Sequence, residues 1–305
     1  MSTLFLSHPS CKLHDMGDGH PESPDRLRAI EQVVRTHDWG SKLHFVEAPK
    51  LEVALLTSVH PKYHVDALLE MSPKEGVAFI DGDTSLNCHS INAALHAAGA
   101  GIYATDEVIA KRADNAFCSV RPPGHHAEST IAMGFCIFNN VALAVQRALA
   151  SGMKRVAILD FDVHHGNGTV EIFQNRPEVL VCSSFQYPFY PGRFDQVFRP
   201  NICLTPLCAN SDGSDFRAAI EPQWRAALHN HQAEMIFISA GFDAHRDDPL
   251  GGLNFDDEDY LWVTQFIQDE AQKTAEGRIV SFLEGGYNQD ALARCVKLHL
   301  DGLIA

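Results

Sequence analysis

From residue 91 onward the chain alternates between two kinds of hydrophobic pattern. Stretches with helical spacing, at 91–111, 141–150, 169–173, 216–229, 256–271 and from 289, are separated by short, nearly unbroken apolar runs at 116–120, 156–159, 179–182, 235–239 and 279–283. An apolar run of four or five residues reads as a strand buried on both faces. Strands that alternate with helices predict an α/β fold with a mostly parallel sheet and helices on both faces. No linker, repeat or charge run divides the chain, so the expectation is one domain spanning residues 1–305.

Parallel sheets of this kind hold their ligands at the carboxyl ends of the strands. Four unusual polar motifs sit at that place. Arg121-Pro-Pro-Gly-His-His-Ala follows the run ending at Val120, and Asp160-Phe-Asp-Val-His-His-Gly-Asn-Gly follows Leu159. Gly241-Phe-Asp follows Ser239, and Glu284-Gly-Gly-Tyr follows Leu283. Together they predict one active site on one rim of the sheet.

The stretch starting at Asp160 is the richest in chemistry. In an extended chain Asp160, Asp162 and His164, at i, i+2 and i+4, point to one side. Two carboxylates and an imidazole in that position are suited to a divalent metal. Without a cation or hydrogen bonds, three ionisable groups at the end of an apolar strand would be costly.

Composition narrows the setting. A chain of 305 residues with 45% hydrophobic content can bury a large core, and its 17 histidines fit a metal enzyme. A formal net charge of −15 argues against a sequence-independent grip on nucleic acid. The eight cysteines include no CxxC pair, and Cys118, Cys136 and Cys182 lie in apolar surroundings as buried free thiols do. No signal peptide or membrane-length apolar run is apparent, so a cytoplasmic, reducing setting is expected, with no membrane partner.

Five segments carry a family resemblance: Arg121-Pro-Pro-Gly-His-His-Ala, Gly134-Phe-Cys-Ile-Phe-Asn-Asn, Asp160-Phe-Asp-Val-His-His-Gly-Asn-Gly, Ser239-Ala-Gly-Phe-Asp-Ala-His and Leu283-Glu-Gly-Gly-Tyr. With His20-Pro-Glu-Ser-Pro-Asp-Arg-Leu and Asp81-Gly-Asp-Thr, the chain resembles the zinc-dependent histone deacetylases over nearly its whole length, most closely the bacterial class II-like amidohydrolases. That resemblance implies the arginase/deacetylase fold and one catalytic Zn2+ held by Asp162, His164 and Asp243. Three protein ligands leave an open position, as catalytic rather than structural zinc requires.

The same resemblance assigns the remaining roles. His125 and His126 are the paired histidines, with His126 as general base and acid, Asp160 bonded to His125 and Asn167 orienting His126. Tyr287 would donate to the oxyanion. Gly134, Phe135 and Tyr190 would line a narrow tunnel with Leu250 at its mouth, and Asp81 or Asp83 would meet the substrate backbone. K+ is expected at oxygens of Asp160, Asp162, His164, Ser183 and Ser184, and at main-chain oxygens of Phe173, Arg176 and Val179. The loop after Cys182 departs from many relatives, being shorter and carrying Tyr190 where a tunnel Phe is frequent.

The implied reaction is removal of acetyl or related acyl groups from an acylated lysine peptide, an acylated protein or a small acylated amine. Alternatives are an acetylpolyamine amidohydrolase and a catalytically weak acyl-lysine-binding module. A two-manganese ureohydrolase of the related arginase type would need a third carboxylate two residues after His164, where this chain has Gly166; His245 is the remaining candidate ligand.

Overall fold

The computed structural model describes residues 2–305. In chain order the elements are β1 (Thr3–Ser7), α1 (Asp25–Thr36), β2 (Leu43–Glu47), α2 (Lys62–Met71), β3 (Ala78–Phe79), β4 (Ser85–Leu86), α3 (Ser90–Ile109), β5 (Asn115–Cys118) and α4 (Asn140–Ala150). They continue with β6 (Val156–Asp160), α5 (Asn167–Phe173), β7 (Val179–Gln186), β8 (Ile202–Leu207), α6 (Gly213–His231), β9 (Met235–Ala240), α7 (Asp257–Thr274), β10 (Ile279–Leu283) and α8 (Gln289–Ile304).

Eight strands form one sheet in the order β2-β1-β5-β10-β9-β6-β7-β8. Every neighbouring pair is parallel. The central strands are buried along their whole length, as in β6, β9 and β10, which explains their continuous apolar runs. Alternation along β10 shows both faces covered. Ser281 reaches His299 of α8 at 2.8 Å, while the next residue, Phe282, packs against Gly101 of α3. A Cβ at Gly101 would lie 2.5 Å from the Phe282 ring, so this glycine sets how closely α3 approaches the sheet.

Several elements have no strong signature in the pattern. β8 carries Pro206, which lacks a donor for a ladder bond; it is tolerated because β8 is an edge strand. β2, at the other edge, is mostly exposed and so lacks an apolar run. β3 and β4 form a two-stranded antiparallel ribbon outside the main sheet. Helix ends are better marked. Asp212 and Asp215 form a capping box on α6, and Asn139 caps α4 by accepting the Ala142 amide at 2.9 Å.

The four motif-bearing strands are the contiguous centre of the sheet, β5-β10-β9-β6. Because they are parallel and in register, with Asp160 opposite Ser239 and Leu283 opposite Ala240, their carboxyl ends meet on one rim.

Candidate functional site

Asp160 ends β6, and the chain beyond it turns back on its own carboxylates. Asp160 Oδ1 accepts the Asp162 amide at 3.1 Å, and Asp162 Oδ1 accepts the His164 amide at 2.9 Å. Asp243, just past β9, accepts the Val163 amide at 3.0 Å. Asp162 Oδ2 accepts the Gly285 amide, from the loop after β10, at 2.8 Å. Three strand ends are thereby tied together around two buried carboxylates.

Asp162, His164 and Asp243 each offer a potential ligand atom, and these atoms all lie within 4.8 Å of one another. His164 Nδ1 is 3.2 Å from Asp162 Oδ1 and 3.1 Å from Asp243 Oδ2. Burial alone would press the His164 imidazole down, but these two carboxylates hold it up to about 10. The cluster thus draws positive charge, and its one nitrogen and two carboxylate donors suit a divalent ion of borderline softness. Backbone room is also provided. A Cβ at Gly241 would lie 2.0 Å from Asp162 Oδ2.

The paired histidines follow β5. His125 Nδ1 bonds to Asp160 Oδ2 at 3.0 Å, and His126 Nδ1 to Asn167 Oδ1 at 2.8 Å. Their rings lie 4.0 Å apart. Burial pushes both down. The Asp160, Asp162 and Glu284 carboxylates reverse this for His125 and hold it up to about 10. His126 stays well below the ordinary histidine value, because burial is reinforced by neighbouring His125 and His164. The surroundings thus favour the charged form of His125 and disfavour that of His126.

A cavity of about 170 Å³ opens onto this cluster, lined by Asp83, His126, Gly134, Phe135, His164, Tyr190, Leu250 and Tyr287. Phe135 and Tyr287 meet edge to face at 5.9 Å, and Tyr190 stands perpendicular to His126 at 5.3 Å. Gly134 has φ of +58, and a Cβ there would strike the His126 ring at 2.5 Å. Every tunnel residue expected from the sequence therefore lines one cavity, together with His126 and Tyr287.

The two rim aspartates separate cleanly. Asp81 Oδ1 accepts the amides of Asp83 and Thr84, at 3.1 and 2.7 Å, and so builds the turn. Asp83 is the one that faces the cavity.

The main-chain oxygens of Phe173, Arg176 and Val179, expected to take a monovalent cation, converge on Asn201 Nδ2, at 2.9, 3.1 and 2.9 Å. Of the other set, Asp160 lies opposite Ser183 across β6 and β7, and the Ser183 hydroxyl is 3.0 Å from His165 Nδ1.

The arginase-like alternative loses its geometry. A Cβ at Gly166 would lie 2.2 Å from Asp160 Oδ2, leaving no room for a third carboxylate. His245 turns to Asp257, 2.9 Å from its Nε2. That His245–Asp257–Cys295 group could also gather a metal, but Arg294 already pairs with Asp257 at 2.7 Å.

Several supporting residues, some of them inside the quoted motifs, were given no role by the sequence. Glu284 accepts the amides of Gly124 and His125, at 2.7 and 3.1 Å. Asp248 accepts the amide of Tyr287 at 2.6 Å and that of Leu250 at 2.9 Å, linking the Tyr287 loop to the cavity mouth. Arg26, paired with Glu22 at 3.0 Å, donates to the Gly286 carbonyl at 2.6 Å and lies 5.0 Å from the Tyr287 ring centroid.

The model of the Histone deacetylase domain matches residues 20–303. A histone deacetylase-like amidohydrolase of Pseudomonas aeruginosa is 34% identical over 289 residues, covering 91% of this chain and 75% of that protein. Type-2 histone deacetylase 2 of Dictyostelium discoideum is 33% identical over 99% of this chain, which spans only 21% of its length. The crystal structure of the HDA15 HD domain superposes with a TM-score of 0.93 at 34% identity, over 99% of this chain and 89% of that one. The chain belongs to the histone deacetylase family.

Proposed function

We propose that this chain is a zinc-dependent amide hydrolase that removes acetyl or related acyl groups from the ε-amine of lysine or a lysine-like amine. The observation that carries the reading is the coincidence, in one cavity, of His164 with its two carboxylate partners, a neutral His126 and Tyr287. Asp162, His164 and Asp243 would hold the ion. When bound, it would polarise the amide carbonyl and lower the pKa of water at its open position.

The remaining steps fall to the protein. Asn167 takes the Nδ1 hydrogen of His126 and leaves the Nε2 lone pair to accept a proton from the attacking water. The same nitrogen returns that proton to the departing amine. Tyr287, kept protonated because burial raises its phenol well above the usual value, donates to the oxygen on which charge develops. Phe135 and Tyr190 would grip the aliphatic stem, and Asp83 would receive a substrate amide at the rim.

The carboxylate of Asp83 at the mouth favours a second reading, an acetylpolyamine with a further cationic amine. Leu250, an apolar residue beside it, weighs for acyl-lysine. Turnover of a fluorogenic acetyl-lysine peptide, lost on chelation and restored by zinc, tests the proposal. A zinc-loaded enzyme that hydrolyses neither acylated lysine peptides nor acetylpolyamines would overturn it and leave the binding-module alternative.

A further inference from the structure

The loop between β7 and β8 reaches His126 by two routes. The Tyr190 ring stands perpendicular to the imidazole at 5.3 Å, and three residues later Arg193 is linked to it through Glu128 and Asn167. Arg193 Nε and Nη2 donate to Glu128 Oε1 and Oε2 at 2.7 and 2.8 Å, a two-pronged pair. The Glu128 side chain is only 4% exposed. Glu128 Oε1 also accepts from Asn167 Nδ2 at 2.8 Å, and Asn167 Oδ1 faces His126 Nδ1.

This chain of bonds has a direction. An amide whose NH2 group faces a carboxylate must turn its oxygen the other way, so Glu128 decides which end of Asn167 meets His126. The histidine then keeps its hydrogen on Nδ1. Glu128 is in turn compensated by Arg193, because a buried carboxylate with one neutral donor is poorly satisfied. The other described hydrogen bond from the loop to the site's floor is that from His165 Nε2 to the Phe194 carbonyl, at 3.0 Å.

We propose that Arg193 and Glu128 form a latch through which the tunnel-wall loop positions His126. Both are positioning residues, acting through Asn167. The inference rests on the proposed role of His126 and deepens it: seating of the wall around the substrate stem and the tautomer of the base are set by one ion pair.

The test measures amide hydrogen exchange across residues 187–194, with kcat and KM on an acetyl-lysine peptide. It uses zinc-loaded wild type, Arg193→Ala, Arg193→Lys, Glu128→Gln and the Arg193→Ala/Glu128→Gln double variant. Arg193→Ala should speed exchange in the loop and lower kcat/KM by about ten- to a hundredfold, with kcat sharing the loss. Arg193→Lys, which keeps the charge but not the fork, should fall between it and wild type. The double variant should be no worse than its weaker parent, because both changes break one pair. Unchanged loop exchange in Arg193→Ala and Glu128→Gln would overturn the latch. Faster exchange with kcat unaltered would overturn the link to His126. Wild type inactive on every acylated amine would instead defeat the reading of function, while loop exchange would still decide the latch.

Discussion

Gly285 gives up its side chain to Asp243: a Cβ there would lie 2.0 Å from Asp243 Oδ2 and 2.6 Å from Asp162 Oδ2. The two carboxylates occupy the space that any other residue would fill, and the Gly285 amide bonds one of them. The glycine pair after β10 is therefore part of how the cluster is built, in addition to allowing the chain to bend.

Gly285→Ala should displace both carboxylates and weaken zinc binding by at least about a hundredfold, at the upper end for residues that orient metal ligands. Asp243→Ala should remove bound zinc and activity outright. Metal content after dialysis against zinc buffers, with cooperative unfolding as the check on folding, measures both. If either variant bound one zinc per chain with wild-type affinity, Asp162, His164 and Asp243 would not be the ligands.

Tyr287→Phe keeps the ring that packs against Phe135 and above Arg26 but removes the hydroxyl. Loss of one oxyanion donor should lower kcat by about 10²–10³ on an acetyl-lysine substrate. A trifluoroacetyl substrate, whose carbonyl is already activated, should lose less. Equal rates for variant and wild type on the acetyl substrate would show that the hydroxyl does not reach the reacting oxygen.

The gathering of the four motifs on one rim could be read from the chain because local rules suffice for it, whereas the residue roles came from the family resemblance. A parallel sheet sends the residues after β5, β6, β9 and β10 to one rim, so four sequence-distant motifs become neighbours as soon as the strands are recognised. Contacts without a local rule stayed hidden. Arg193 lies in an irregular loop and meets Glu128 across 65 residues, a pairing that no period encodes. Asp81 and Asp83 are chemically alike on one ribbon tip, and the bonds that Asp81 accepts from its own turn separate them. Asn201 has no motif at all, although its side chain reaches three carbonyls of the α5–β7 connection.

Asn201→Ala should expose that difference as a cation response. Three carbonyls lose a shared donor, although those of Phe173 and Arg176 still accept the Arg176 and Val179 amides, and the loss should cost about 1 kcal/mol. Potassium should recover part of the loss, because the oxygens then face an open position. Thermal unfolding in potassium chloride and in a bulky ammonium chloride at equal ionic strength measures the effect. A potassium-dependent rise no larger in the variant than in wild type would rule out the amide as a stand-in for the ion.

Acid stability should depend on His299, which is buried between Thr264 and Ser281, with its nitrogens 2.6 and 2.8 Å from their hydroxyls. Burial lowers this imidazole from 6.5 to about 3. The folded state therefore keeps it neutral while the unfolded chain takes up a proton. Its contribution is complete above pH 6.5 and is lost as pH falls from there toward about 3. His299→Gln should make the decline in unfolding free energy between these limits shallower by about 1.4 kcal/mol per pH unit. Denaturant titrations at several pH values give the slope, and parallel slopes for the two proteins would refute the assignment.

Substrate choice should turn on Leu250, which lines the cavity with Asp83 and whose backbone N–H donates to Asp248 Oδ1 at 2.9 Å. An acylated lysine presents a peptide backbone at this depth, and Leu offers it apolar contact. An acetylpolyamine presents a second ammonium, for which a carboxylate would be the better partner, worth about 1–4 kcal/mol near a protein surface. Asp83 is the carboxylate that lines this cavity, but it is exposed and its attraction is screened by solvent. Acetyl-lysine peptides should therefore give the higher kcat/KM in wild type, and Leu250→Glu should shift the ratio toward acetylspermidine and acetylputrescine. Comparing kcat/KM for these substrates in both proteins decides the matter: a wild-type preference for polyamines of about tenfold or more, equal to about 1.4 kcal/mol in the transition state, would reverse the assignment and make Asp83 the residue that selects the substrate.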